Sequence, residues 1–309
     1  MGKKLDFAIA ILNGTIGDHL YRSKNDLAID FTFARRGESL TVDEVARSIP
    51  AGAKVVVLVH GLMNSEAIFE DASGEDFGTR LAKDLGFVPV YVRYNSGRSI
   101  PDNGALLDAH LEALFTKAAP IDEIIPLGYS MGGLVVRSAC HFAKEAGHGW
   151  LGKVRRALYV GTPHRGAPLE RGGRVVSSIL AAIPDPTTNL VGQIADLRSA
   201  GLQDLGDAEL RHEDRARRGK TWKLTDAEHP VPLLPSIEHF LVAGGVSNAP
   251  WVHALFGDSI VPLGSAKNES KTATFPLDHV KFVPGTAHID LPQSPRVYEL
   301  LRVFLEGSR

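Results

Sequence analysis

The sequence predicts an α/β domain: a mostly parallel sheet with helices on both faces and a cap inserted late in the chain. Three observations carry that reading. Short apolar segments recur with helical segments between them, and one of them runs straight into Gly128-Tyr129-Ser130-Met131-Gly132. Late in the chain, about 70 residues separate two strand-like segments that would otherwise be neighbours, a gap too long for an ordinary connection.

Taken in order, residues 5–21 have helical periodicity and residues 27–34 read as an edge strand. Strands are then expected at residues 55–60, 88–94, 124–129, 157–160, 240–244 and 280–283, with a closing helix at residues 295–306. Such alternation implies a sheet buried on both faces, with its ligand site at the carboxyl ends of the strands. The domain organisation that follows puts an N-terminal helix and edge strand in residues 1–50, the core in 51–166 and 237–309, and the cap in 167–236. Within the cap, residues 175–183 are apolar and helical, Pro184-Asp185-Pro186 is a breaker, residues 190–205 are amphipathic, and residues 209–220 form a mixed-charge, solvated face. Lying over Ser130, this cap would supply an acyl pocket through Leu180, Ile183, Leu190 and Val191.

Around Ser130 the order is strand, sharp turn, helix. Residues 123–127 are apolar enough for a buried strand, and Leu134, Val135, Ala139 and Phe142 follow at helical spacing. A turn of this kind lifts one hydroxyl clear of the strand end, and flanking Gly128 and Gly132 let the backbone bend without a Cβ clash. Ser130 is therefore the candidate nucleophile. A serine hydroxyl needs a base, and the base needs an orienting carboxylate.

Of the twelve histidines, His288 stands in a turn after the Pro284-Gly285 break, where a loop can carry it across the strand ends. His279 alternates with apolar neighbours and reads as a half-buried packing residue. Asp258 is the favoured acid because it follows a glycine beyond the strand at residues 240–244 and precedes Val261-Pro262. Asp278, Asp290, Asp226 and Glu228 compete with it. An oxyanion hole would take one backbone amide from Met131, at a helix start, and one from Leu62, after the apolar strand that ends in His60-Gly61. His60 itself is expected to brace that loop.

Four motifs carry a resemblance: His60-Gly61-Leu62, Gly128-Tyr129-Ser130-Met131-Gly132-Gly133, Gly161-Thr162-Pro163-His164-Arg165-Gly166, and Asp258-Ser259-Ile260-Val261-Pro262 ahead of His288. Over about residues 50–306 the chain resembles the α/β hydrolases of the lipase and esterase type, including the branch with inositol deacylase-like lipases. The resemblance implies Ser130 as nucleophile, His288 as general base, Asp258 as its orienter, and ester hydrolysis through an acyl-enzyme. The same scaffold serves acyltransferases, thioesterases and amidases, and a non-catalytic binding protein could also keep it.

Composition agrees. A chain of 309 residues that is 44% hydrophobic can bury a large core. Its 34 basic and 36 acidic residues leave no basic excess for nucleic acid, and one cysteine, Cys140, allows no intramolecular disulfide. No apolar stretch reaches the roughly 20 residues of a bilayer span. The expectation is a cytoplasmic enzyme acting on a small ester or lipid, without metal or organic cofactor. Modest aromatic content, 7%, and the lack of a long apolar face in the cap favour short to medium acyl chains over interfacial lipase action.

Overall fold

In a computed structural model, which describes residues 3–164, 199–207, 209–213, 231–245 and 275–307, the alternation of apolar segments becomes one eight-stranded sheet. Along the chain run α1 (Lys3–Arg22), β1 (Thr32–Arg35), β2 (Glu38–Leu40), α2 (Val42–Ser48), β3 (Ala53–Val59), α3 (Phe77–Leu85), β4 (Val88–Arg93) and α4 (Ile100–Lys117). They are followed by β5 (Ile121–Tyr129), α5 (Met131–Ala146), β6 (Arg156–Val160), α6 (Ala200–Asp207), β7 (Glu238–Gly245), β8 (Val280–Pro284) and α7 (Pro295–Gly307). The spatial order is β2-β1-β4-β3-β5-β6-β7-β8. Strands β3 to β8 are parallel, whereas β1 is antiparallel to both β2 and β4.

The alternation of side chains along β3 explains why both faces of the sheet must be covered. Val55, Val57 and Val59 pack with Leu107 and Leu111 of α4 and with Leu134 and Val135 of α5. Val56 and Leu58 face the other way, into a second core with Leu81 of α3 and Val297 and Leu301 of α7. Because every residue of β3 from Val55 on is buried, the strand reads as a continuous apolar run.

Two local expectations change. The strand expected at residues 27–34 is Thr32–Arg35, and it is not at the edge, since β2 takes that place after a tight turn at Arg36 and Gly37, both with positive φ. Strand β2 has three residues and exposes Glu38 and Ser39, so no apolar alternation marks it. Helix α2 is also too short for periodicity to reveal, yet its start has a reciprocal cap, Thr41 with Glu44. His279 lies in a 3-10 turn just before β8 rather than within the strand, half-buried with Nδ1 3.2 Å from His239 O, which keeps its packing role.

A buried ion pair ties the second face together. Arg156 on β6 donates through Nε and Nη2 to both carboxylate oxygens of Glu123 on β5, at 2.9 and 2.7 Å, and through Nη1 to Leu305 O of α7 at 2.7 Å. Both side chains are nearly inaccessible. Replacing Arg156 by Met would leave Glu123 as an uncompensated buried charge and should cost about 3 to 5 kcal/mol in urea unfolding. The double change Arg156→Met with Glu123→Leu should recover most of that loss.

Candidate functional site

Ser130 sits between the end of β5 and the start of α5 with φ +52 and ψ −126, a backbone conformation that L side chains rarely adopt. Its amide donates to Val160 O of β6 at 2.8 Å, so the turn is hydrogen-bonded to the neighbouring strand. Close packing leaves no room for side chains on either flank. A Cβ at Gly132 would lie 2.2 Å from Val59 O, and one at Gly128 would lie 2.4 Å from Gly133 Cα. The two glycines therefore let α5 press against the ends of β3 and β5.

His288 opens a 3-10 turn, His288–Gln293, three residues beyond Gly285, which itself has φ +74. Its Nε2 lies 3.0 Å from Ser130 Oγ. Tyr129 holds the histidine from two sides, with its hydroxyl donating to His288 O at 3.1 Å and its ring 5.3 Å from the imidazole. Burial pushes the His288 pKa down to about 4, so at neutral pH the ring is uncharged and can take a proton from the hydroxyl. Ser130 is itself buried, at 3% exposure. A hydroxyl on a strained turn, in contact with a neutral imidazole, is the arrangement that nucleophile activation requires.

The loop after β3 packs directly on this turn, and a Cβ at Gly61 would meet Ser130 Cβ at 2.9 Å. His60 is fully buried, with its Nδ1 2.8 Å from Gly61 O and its Nε2 3.4 Å from the amide of Tyr94. A single tautomer satisfies both contacts: Nδ1–H donates and Nε2 accepts. Tyr94 stacks on the ring at 4.2 Å and donates its hydroxyl to His60 O at 2.7 Å. His60 thus braces the loop. Leu62 O accepts from Asn64 Nδ2 at 2.8 Å, and the amide of Met63, a residue at φ +58, donates to Ser96 Oγ at 3.0 Å. Among the described residues the amides of Leu62 and Met131 have no acceptor.

Helix α1 completes the bracing, which no motif in residues 1–50 suggests. A Cβ at Gly14 would meet Met63 Cγ at 2.3 Å, and Asn95 Nδ2 donates to Gly17 O at 2.8 Å. The signal was available as small residues on one face of an otherwise apolar helix, but it cannot be read without knowing what lies opposite.

Asp258 lies outside the described residues, as do Asp226, Glu228 and the acyl-pocket candidates Leu180, Ile183, Leu190 and Val191. Of the two described competitors, Asp278 is 81% exposed and 4.0 Å from His279, and Asp290 is exposed. Among the described residues no carboxylate pairs with His288, and no cluster of three or more His, Cys, Asp or Glu is placed to hold a metal. Nor is any described helix long and apolar enough to cross a membrane.

No protein-family model and no curated protein matches the chain. Solved structures do. The mature form of a Bacillus licheniformis lipase is similar at 17% identity, covering 90% of this chain and 97% of that one with a TM-score of 0.47. An esterase from Pyrobaculum calidifontis is similar at 13% identity, covering 84% and 76% with a TM-score of 0.46. Tomato methylketone synthase I is similar at 12% identity, covering 83% and 99% with a TM-score of 0.45. The strand order and the serine turn are by themselves those of the α/β hydrolase fold. Its marks in this chain are the antiparallel strand beside β4, the crossover that places β3 between β4 and β5, and the serine turn after β5. What such a fold does depends on its site.

Burial of neutral histidines should make the folded chain acid-sensitive. His60, His239 and His288 are each lowered to about 4 by burial, and His164 well below its usual value, while in the unfolded chain each would titrate near 6.5. Between those limits the unfolded chain binds more protons, so stability is full above about pH 6.5 and falls as pH drops toward 4. Urea midpoints measured from pH 8 to 5 should be level at first and then fall, by on the order of 1.4 kcal/mol per pH unit for each histidine that stays neutral.

Proposed function

We propose that the chain is a carboxylic ester hydrolase of short to medium acyl chains that works through an acyl-enzyme on Ser130. The 3.0 Å contact between His288 Nε2 and Ser130 Oγ carries this reading. Ser130 Oγ attacks the ester carbonyl while His288 Nε2 takes its proton. The amides of Leu62 and Met131 hold the tetrahedral oxyanion, and the dipole at the start of α5 adds to the second of them. His288 then returns the proton to the leaving alcohol. Water, deprotonated by the same imidazole, attacks the acyl-enzyme, and the imidazolium returns that proton to Ser130 Oγ as the acyl–oxygen bond breaks and the carboxylic acid leaves.

Asp258 would accept a hydrogen bond from His288 Nδ1–H and favour the imidazolium that forms during each step. Its presence should therefore raise the His288 pKa above the value of about 4 that burial alone sets.

Hydrolysis of p-nitrophenyl esters from acetyl to palmitoyl should peak at a short or medium chain, and Ser130→Ala should lower kcat by about 10⁴-fold or more. Retained activity in that variant would remove Ser130 as nucleophile. Product formed with added alcohol in place of hydrolysis would identify an acyltransferase.

Asp258→Asn should lower kcat by about 10³ to 10⁴-fold and move the acidic limb of kcat/KM downward, toward pH 4. A wild-type limb already at that pH, unchanged in the variant, would exclude Asp258 from the site.

A further inference from the structure

Seven residues beyond Ser130, α5 carries a second buried charge that the ester chemistry does not use. Arg137 is 5% exposed, and among the described residues no carboxylate pairs with it. Its guanidinium donates to two backbone carbonyls, His164 O and Val231 O, and Nη1 also lies 3.3 Å from His164 Nδ1. Arginine can only donate, so His164 Nδ1 accepts and its Nε2 carries the ring hydrogen. That leaves two buried N–H donors, Arg137 Nε and His164 Nε2, without acceptors among the described residues. Burial lowers the Arg137 pKa only to about 10, so the cation persists at neutral pH.

Arg137 also lines a cavity of about 170 Å³. Its buried walls are Cys140, Tyr159, Val231 and His239, and Leu233 and Leu234 add half-buried apolar surface. Tyr159 and His239 are satisfied by each other and by Leu234 O, so they offer the cavity neither an unmet donor nor a charge. At the rim stand one exposed cation, Lys144, and one carboxylate, Glu145. A buried cation with no carboxylate beside it among the described residues, and an unmet N–H on the same guanidinium, describe a site for an anion, and the apolar walls describe one with a hydrocarbon part. Ser130 heads the same helix, and at about 1.5 Å per residue Arg137 lies roughly 10 Å from it and Lys144 roughly 20 Å, toward the opposite end of the strands.

We propose that the cavity between α5 and residues 231–234 binds a short-chain carboxylate, with Arg137 as its counter-ion and Lys144 guiding it at the mouth. The site is independent of the serine chemistry and should be retained when that chemistry is removed.

Hexanoate should raise the Tm of the whole chain along a saturable curve, equally in the wild type and in Ser130→Ala, whereas uncharged hexanamide should not. Lys144→Glu should weaken the apparent affinity by about five- to tenfold, and Leu233→Trp, which fills the cavity from its half-buried wall, should abolish the response. Neither variant touches the Ser130–His288 pair, and both leave Arg137 in place, so they test the site even if Arg137→Ala fails to fold. The proposal is overturned by a wild type that ignores hexanoate, by hexanamide acting as well as hexanoate, or by Leu233→Trp responding like the wild type. Loss of ester hydrolysis in Ser130→Ala with the hexanoate response intact would support both readings separately.

Discussion

The strained backbone at Ser130 is the constraint on which the rest of the architecture depends. Holding a non-glycine residue at φ +52 costs on the order of 1 to 3 kcal/mol, and the conformation persists only if its surroundings leave no alternative. They do so through close approach on every side. The Ser130 amide is bonded to β6, Gly132 meets the carbonyl at the end of β3, and Gly61 presses on the serine Cβ. The buried face of α5, from Leu134 to Ala143, then fixes the helix against the sheet. Core packing thus offsets the strain, and the hydroxyl is left projecting from the strand end with little freedom to move.

The loop facing Ser130 is stabilised differently, by buried polar groups whose bonds are satisfied. His60, Tyr94 and Ser96 link the loop after β3 to the segment after β4, Asn64 closes the loop on Leu62 O, and Asn95 links the segment after β4 to α1. The Glu66 carboxylate, paired with Arg93 of β4, anchors the far end of the same loop. Such networks rigidify when complete and fail when one member is lost or charged. The loop's share of the acid sensitivity has the same cause, because the neutral His60 imidazole is buried where a proton would break the pattern.

How much of this was legible in the sequence depended on the range of the interactions involved. Six of the strands and the closing helix follow from apolar runs that each report their own burial. Ser130 follows from local turn chemistry and His288 from chain order and a preceding Pro-Gly break. The strand expected at the edge, residues 27–34, lies one place inward because the three-residue polar strand outside it has no periodicity, and α2 is too short for one although Thr41 and Glu44 form its cap. The seat of α1 on Met63 is a contact between residues about fifty apart, and nothing in residues 1–50 encodes it without its partner. Asp258 and the acyl-pocket residues lie outside the described residues, so the sequence remains the ground for them.

Helix α5 joins two electrostatic problems with different solutions. At its first turn the amides offer partial positive charge, and a developing oxyanion would meet it only during reaction. Two turns later Arg137 offers a full charge at all times, and carbonyl oxygens alone satisfy two arms of its fork. A buried cation left in that state carries a standing desolvation cost, whereas the helix terminus carries none until a substrate arrives. An anion in the adjoining cavity would relieve that cost in the resting protein. Its binding would therefore stabilise the packing of His164 and residues 231–234 against α5 rather than change the geometry at Ser130, which the glycines and the sheet already hold.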